Sequence, residues 1–504
     1  MSVQRITRPP TPLALYGLQG TRALEAAALA QTAPGALMAL AGQRVAELAL
    51  ALAPHAQHTA ILCGPGNNGG DGLIAAAHLH RRAQTRGAQV SVIFTHGTPQ
   101  SGDAAEAWHR AQAAGVRVVT GWPEHVDLAI DAIFGIGVRA PLDDATAAWL
   151  HHLQNAPLRL NVDAPTGLDS DTGVAFGPSA RHVTQQRHTL SLLTLKPGLF
   201  TAQGRDQAGT VWWDDLGAAA LHLPEVQADA WLAPTPKAPT RLHAAHKGSF
   251  GQVTVIGGQL PSPERTGMVG AAILASRAAL HAGAGRVYLC PLGDAPPLLD
   301  GTQADVMLRT WSTLDATTVA PQDVWLVGCG GGRAVVDVMP RVLAHADALV
   351  LDADALNAIA SDADLQARLQ GRRHTTVLTP HPLEAARLLN TSTPAIQGQR
   401  LASAQALADR FQAVVVLKGS GSIIAAPGLA PWINPTGNAR LAIAGTGDVL
   451  AGMVAARLAR DDVQSTGQAQ AAVAEAVWHH GHHADVWPPE HTLTAQALVS
   501  APSA

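Results

Sequence analysis

The sequence predicts two different α/β domains in tandem, the first a doubly wound sheet, and three observations carry that expectation. The chain is 504 residues long, more than one hydrophobic core ordinarily serves. From residue 59 onward, short apolar runs alternate with Ala-rich helical segments. A stretch at 222–240, HLPEVQADAWLAPTPKAPT, holds four prolines and little periodicity, then a second alternating series begins.

In the first series TAILCG (59–64), QVSVIF (89–94), VDLAIDAIFG (126–135) and LRLNVDAP (158–165) read as buried parallel strands. The segments 71–87, 101–114 and 143–155 between them carry helical periodicity, and 1–55 reads as helices packed before the sheet. The second series runs through QVTVIGG (252–258), GRVYLC (285–290), DVWLVGCG (323–330), DALVLDAD (347–354), TTVLTPH (375–381) and AVVVLKGSGSII (413–424). The halves share no obvious repeat. The expected division is 1–225, a linker at 226–240, and 241–504.

Composition narrows the function classes. Hydrophobic residues make up 47% and charged residues 14%, which suits buried parallel sheets and argues against disorder. A formal net charge of −4 supplies no field for nucleic acid or an anionic membrane. The apolar stretch 23–53 is broken by polar residues, so no membrane span is expected, and MSVQRITRPPTP offers no export signal. Cys63, Cys290 and Cys329 are too far apart for a CxxC site. A cytoplasmic, homo-oligomeric enzyme without nucleic-acid or membrane partners is expected.

The sharpest local feature is Cys63-Gly64-Pro65-Gly66-Asn67-Asn68-Gly69-Gly70-Asp71-Gly72, between an expected strand and helix. Glycines there let backbone N–H groups face an anion. It is neither GxGxxG nor a P-loop, and a plain tight turn is the competing reading. Asp131 and Asp163 end neighbouring strands, followed by Gly135 to Arg139 and by Ala164-Pro165-Thr166-Gly167. Ligands of open parallel sheets collect at such ends. Asn68, Asp131 and Thr166 are candidate hard-oxygen ligands for a cation, with Asp163 left for acid–base work; each Asp alone reads equally well as a cap.

In the second half Ala444-Gly445-Thr446-Gly447-Asp448 opens an Ala-rich helix. Successive free amides with a carboxylate beside them suit deprotonating a hydroxyl while phosphate is transferred. An ordinary acidic first turn is the alternative. Further strand ends carry Gly328 to Gly332, Asp352 and Asp354, Thr379 to Glu384, and Lys418 to Ser422. The cluster His479, His480, His482 and His483 reads as structural ahead of metal-binding, and Trp212 and Trp213 as packing residues of a strand.

NNGGDG, GIGVR and VDAPTGLDSDTG (162–173) together resemble the NAD(P)H-hydrate epimerase domain over roughly 15–215. The resemblance implies a Rossmann-like domain that interconverts the R and S hydrates and holds potassium through Asn68, Asp131 and Thr166. Substrate contacts would fall on Asn67, Asn68, Gly69, Gly70, Asp71, Gly135, Ile136, Gly137, Val138, Arg139, Ala140, Pro141 and Asp163. Thr166 stands where the family commonly has Ser.

From about 240 to 490 the ordered motifs resemble the ADP-dependent NAD(P)H-hydrate dehydratase of the ribokinase-like superfamily. That resemblance puts nucleotide contacts on Lys418, Gly419, Ser420, Gly421, Ser422 and Gly447. Hydrate contacts would fall on Ala271, Gly330, His381 and Asp448, the last as base, with magnesium accompanying ADP. The substrates implied are NADHX, NADPHX and ADP. GCGGG and HPLE replace the usual GPGLG and HPGE. Two rival readings stay open: a small-molecule kinase, and an N-terminal half that only binds.

Overall fold

A computed structural model describes residues 3–137, 141–177, 186–218, 223, 225–237, 242–261, 266–293, 304–314, 323–461 and 463–500. The chain forms two compact units, one of Met1–Pro9 and Leu13–Trp231, the other of Pro10–Pro12 and Leu232–Ala504. Within 226–240, expected as linker, Ala230–Leu232 is a strand.

In the N-terminal unit the strands lie in the order Gln4–Ile6, Thr210–Asp214, Gln186–Leu192, Leu158–Val162, Leu128–Ala132, His58–Cys63, Gln89–Phe94, Arg117–Val118. The first pair is antiparallel and the rest are parallel. The parallel winding starts at His58–Cys63, builds one edge, then returns to build the other from Leu128–Ala132. The two central strands therefore flank the point where winding reverses, the place where such sheets leave a crevice. Ile61, Ile130 and Leu160 fill the core beneath the helix Asn67–Gln84.

Strands precede the expected amino-terminal helices, which run over Leu18–Ala30 and Ala36–Leu52. The helix expected at 71–87 begins four residues earlier, at Asn67, so the glycine-rich motif is its first turn. Glycine is obligatory there: a Cβ on Gly64 would sit 1.9 Å from the Ile133 carbonyl oxygen, and one on Gly69 equally close to the Gly64 oxygen. The expected strand 126–135 stops at Ala132, which frees Ile133 to Gly137 to form a loop.

The C-terminal unit repeats the winding with other strands: Met307–Leu308, Arg286–Leu292, Gln252–Gln259, Asp323–Val327, Ala348–Leu351, Thr376–Leu378 and Val414–Leu417, all parallel. Winding reverses between Gln252–Gln259 and Asp323–Val327. The run 413–424, expected as one strand, is instead two antiparallel strands, Val414–Leu417 and Ile423–Ala426, joined by Lys418 to Ser422. Gly419 at φ 139° and Gly421 at φ 61° make that turn possible. Helices Val269–His281 and Thr446–Arg460 cover one face, and Ala334–His345, Ala353–Ser361 and Arg400–Phe411 contribute to the core on the other.

Candidate active sites

At the reversal point of the N-terminal sheet lies a cavity of about 570 Å³. Asn67, Asn68 and Asp71 line one wall, Ile133 to Gly137 another, and Asp163 its floor. Gly66 caps the helix in extended conformation with no side chain on the first-turn amides, which are thereby offered to a ligand. Val138, Arg139 and Ala140 lie outside the described residues, and Pro141 is exposed.

Asp163 follows the strand Leu158–Val162 in left-handed conformation, φ 66°, which costs a non-glycine residue about 1–3 kcal/mol and is common where function demands it. Its Oδ1 accepts from the Leu192 amide at 3.1 Å and from the ammonium of Lys196. That lysine is fully buried and also donates to the carbonyls of Leu192 and Thr194, at 2.8 and 3.0 Å. Burial and the neighbouring charges of Asp163 and Glu25 push the Asp71 carboxyl well above the ordinary carboxylate range.

Of the three candidate cation ligands, Asp131 and Thr166 meet directly, Thr166 Oγ1 donating to Asp131 Oδ1 at 2.7 Å. Asp131 is fully buried and its other oxygen accepts from Arg159 at 2.6 Å and from the Thr166 amide at 3.0 Å. Asn68 reaches the same loop: its Oδ1 is 3.3 Å from where a Gly135 Cβ would stand, as is Asp163 Oδ2. The donor set is oxygen-only with one carboxylate, which suits a hard monovalent cation; the Arg159 guanidinium already balances part of the Asp131 charge. Arg159, Lys196, Arg22 and Glu25 were missed by sequence reasoning, the first because it sits inside an apolar strand run.

In the C-terminal unit four strand ends meet. Lys418 Nζ lies 2.8 Å from Asp352 Oδ1, which also accepts from Thr379 Oγ1 at 2.7 Å. The buried Cys329 thiol donates to Asp352 Oδ2 at 3.8 Å and hydrogen-bonds Asp448. Cys329, Asp352 and Asp448 bring one ligand atom each within 4.8 Å of one another. Burial, then the Asp352 charge, pushes the Asp448 carboxyl up to about 6, the property of a base working near neutrality. Burial acts to lower Lys418, but Asp352 and Glu384 outweigh it and leave the ammonium above its usual value.

The expected hydrate contacts Ala271 and Gly330 adjoin, a Gly330 Cβ falling 3.0 Å from Ala271 Cβ. Gly447 adjoins Lys418 in the same way, its Cβ position 3.5 Å from Nζ. Gly445, left-handed at φ 91°, starts the helix whose first turn is Thr446-Gly447-Asp448. His381 caps the helix Pro382–Leu389: Nδ1 accepts from the Leu383 and Glu384 amides at 3.1 and 3.3 Å. The half-exposed ring keeps Nε2 3.3 Å from Glu384 Oε1. His480 is structural, its Nε2 donating to the Thr446 carbonyl at 2.9 Å while burial lowers it to about 4.

Sequence reasoning also missed Arg400. It lies under the Lys418–Ser422 turn, with guanidinium nitrogens 3.2 Å from the Leu417 carbonyl oxygen, 3.4 Å from that of Lys418 and 3.5 Å from that of Gly421. Burial lowers it to about 10.

Two doubly wound α/β units, each with charged groups gathered at the carboxyl ends of its strands, define a two-domain α/β enzyme. Residues 34–198 match the family described as YjeF-related protein N-terminus, and 253–502 the family described as NAD(P)H-hydrate dehydratase. The bifunctional NAD(P)H-hydrate repair enzyme Nnr of Escherichia coli is 34% identical over 440 residues, 84% of this chain and 80% of that one. Its counterpart in Moorella thermoacetica is 36% identical over 430 residues, 78% and 77% of the two chains. A Bacillus subtilis ADP/ATP-dependent NAD(P)H-hydrate dehydratase, co-crystallized with ATP/Mg2+, aligns with 52% of this chain and 91% of its own at 31% identity and TM-score 0.44. The chain belongs to the family of bifunctional NAD(P)H-hydrate repair enzymes.

Proposed function

We propose that Asp448 is the base of the dehydratase reaction, removing the proton from the ring hydroxyl of the S hydrate as ADP transfers its terminal phosphoryl group. AMP is released; loss of phosphate together with a proton from the adjacent ring carbon then restores the double bond of NAD(P)H, phosphate leaving far more readily than hydroxide. The observation that carries this reading is the convergence of Asp448, Lys418 and Asp352 beside an open helix N-terminus. The amides of Thr446 and Gly447 would stabilise charge on the moving phosphoryl group. Lys418 to Ser422 and Gly447 would take the nucleotide, Ala271, Gly330 and His381 the hydrate. Magnesium would enter with the nucleotide, the usual habit of an ion bound by one or two carboxylates plus phosphates. Asp352, 2.8 Å from Lys418, would be the carboxylate to meet it.

In the N-terminal cavity the R and S hydrates would exchange, held by Asn67 to Asp71 and Gly135 to Pro141, with Asp163 as an anion beside the reacting carbon. Potassium would lie among Asn68, Asp131 and Thr166 and supply a fixed positive charge there. With both activities in one chain, either epimer drains to NAD(P)H. Three buried free cysteines suit a reducing cytoplasm as the place of action.

The test is to incubate the purified chain with mixed NADH hydrates and ADP, following NADH absorbance, AMP and phosphate. Full recovery of both epimers with one AMP per NADH supports the assignment. Phosphorylated product accumulating without NADH would favour a kinase, and recovery of the S form alone would leave the N-terminal half a binding module.

A further inference from the structure

Epimerisation at the hydrated carbon needs a proton for the departing hydroxyl, and Asp163 is badly suited to give one. Its Oδ1 already accepts from the Lys196 ammonium and from the Leu192 amide at 3.1 Å. Lys196 is fully buried and also donates to the Leu192 and Thr194 carbonyl oxygens. The proton has to come from another group on the cavity wall.

Glu25 is such a group. It projects from the helix Leu18–Ala30 into the same cavity as Asp163, Asn67 and Asp71. The start of that helix is fixed: Asp229 accepts from the Gly17 amide and Asp171 from the Leu18 amide, each at 2.8 Å. The Glu25 carboxyl hydrogen-bonds the side chain of Asn67, the first residue of the helix Asn67–Gln84. Burial, then the charge of Asp163, raises it, while Lys196, Arg22 and Asn67 oppose the rise. Glu25 thus gives up its proton less readily than a free carboxyl, the direction wanted of an acid working beside a second carboxyl group.

We infer that Glu25 is the general acid of the epimerase half, protonating the hydroxyl that leaves the hydrated ring carbon. The inference rests on the epimerase reading given above. The carbon–oxygen bond breaks with its electron pair on oxygen, and the Glu25 proton completes a water molecule. The lone pair of the adjacent ring nitrogen and the Asp163 carboxylate stabilise the resulting cation. Water adds to the opposite face and sheds one proton to the solvent, from which Glu25 is reprotonated, so that neither electrons nor protons are gained or lost.

The test compares R-to-S conversion by the full-length chain carrying Glu25→Gln or Glu25→Asp, with ADP-driven dehydration of purified S hydrate as the check that the chain is folded. Glu25→Gln keeps the shape of the contact with Asn67 but offers no proton. It should lower kcat at least a hundredfold with KM within threefold, and abolish the alkaline limb of the pH profile. Glu25→Asp should restore part of the rate and the limb. A Glu25→Gln chain that epimerises at the wild-type rate, or keeps the alkaline limb, overturns the inference and leaves the epimerase reading standing. Wild-type chain that dehydrates S hydrate yet never converts R hydrate overturns both.

Discussion

Lys418 sets its ammonium 2.8 Å from the Asp352 carboxylate, of which only 2% is exposed, so the two charges depend on each other. Removing one partner of a buried pair leaves the other uncompensated, at a cost of about 3–5 kcal/mol. Asp352→Asn should lower the thermal midpoint of the C-terminal unit. It should also ease the repulsion that raises Asp448 and so move the acid limb of dehydration to lower pH. Calorimetry and a pH–rate profile of the same variant check both.

The pH dependence of the wild-type chain has a definite sign. Asp448, the proposed base, can accept a proton only when ionised, and burial pushes its carboxyl up to about 6. Dehydration should rise as pH climbs through about 6 and level off above it. Because the folded value is raised, the proton is held more tightly in the folded state. The stability it lends is present below the ordinary Asp range and lost as pH rises through about 6, so Asp448→Asn should be more stable than wild type near neutrality. Thermal unfolding of the two chains at pH 5 and 8 checks this.

Arg400 gathers three carbonyl oxygens of the turn expected to hold the nucleotide. Arg400→Met removes that clamp, and the KM for ADP should rise about tenfold, roughly 1.4 kcal/mol, with a smaller change in kcat. Lysine, a point charge without the planar fork, should rescue it poorly. Steady-state kinetics at saturating hydrate distinguish these outcomes.

Arg159 is the buried partner of Asp131, at 2.6 Å with both side chains essentially inaccessible. Arg159→Met should cost about 3–5 kcal/mol by stranding that carboxylate. Raising potassium should recover part of the loss if Asn68, Asp131 and Thr166 take the ion, since a ligand bound only by the folded state stabilises it by mass action. Unfolding curves in potassium and in tetramethylammonium measure it.

Much of this architecture was legible locally. Alternation of apolar runs gave both sheets, and NNGGDG and GTGD declared themselves because a helix start beside a sheet needs small residues and first-turn polar groups within a few positions. The turn at Lys418 to Ser422 was read as nucleotide-facing while its flanks were taken as one strand; Gly419 and Gly421, both at positive φ, are the breakers that divide it. The helix at Asn67 was placed too late because Gly69 and Gly70 lower helical propensity, an effect overridden by the close approach to Gly64. Arg159 and Arg400 could not be found this way. Each acts on groups brought near by sheet pairing or by a returning turn, and within its own segment is only a cation among apolar or polar neighbours. Cys329 stood out as a departure from the family pattern, but its place between Asp352 and Asp448 depends on strand ends far apart in the chain.

The most direct test of the central claim is the rate at which Asp448→Asn restores NADH from purified S hydrate at saturating ADP and neutral pH. General-base assistance is worth about 10²–10⁴-fold. The variant should therefore be slower by at least a hundredfold, still bind ADP, and still interconvert the two epimers through its N-terminal unit. A variant that restores NADH at the wild-type rate would contradict the assignment of Asp448 as the base.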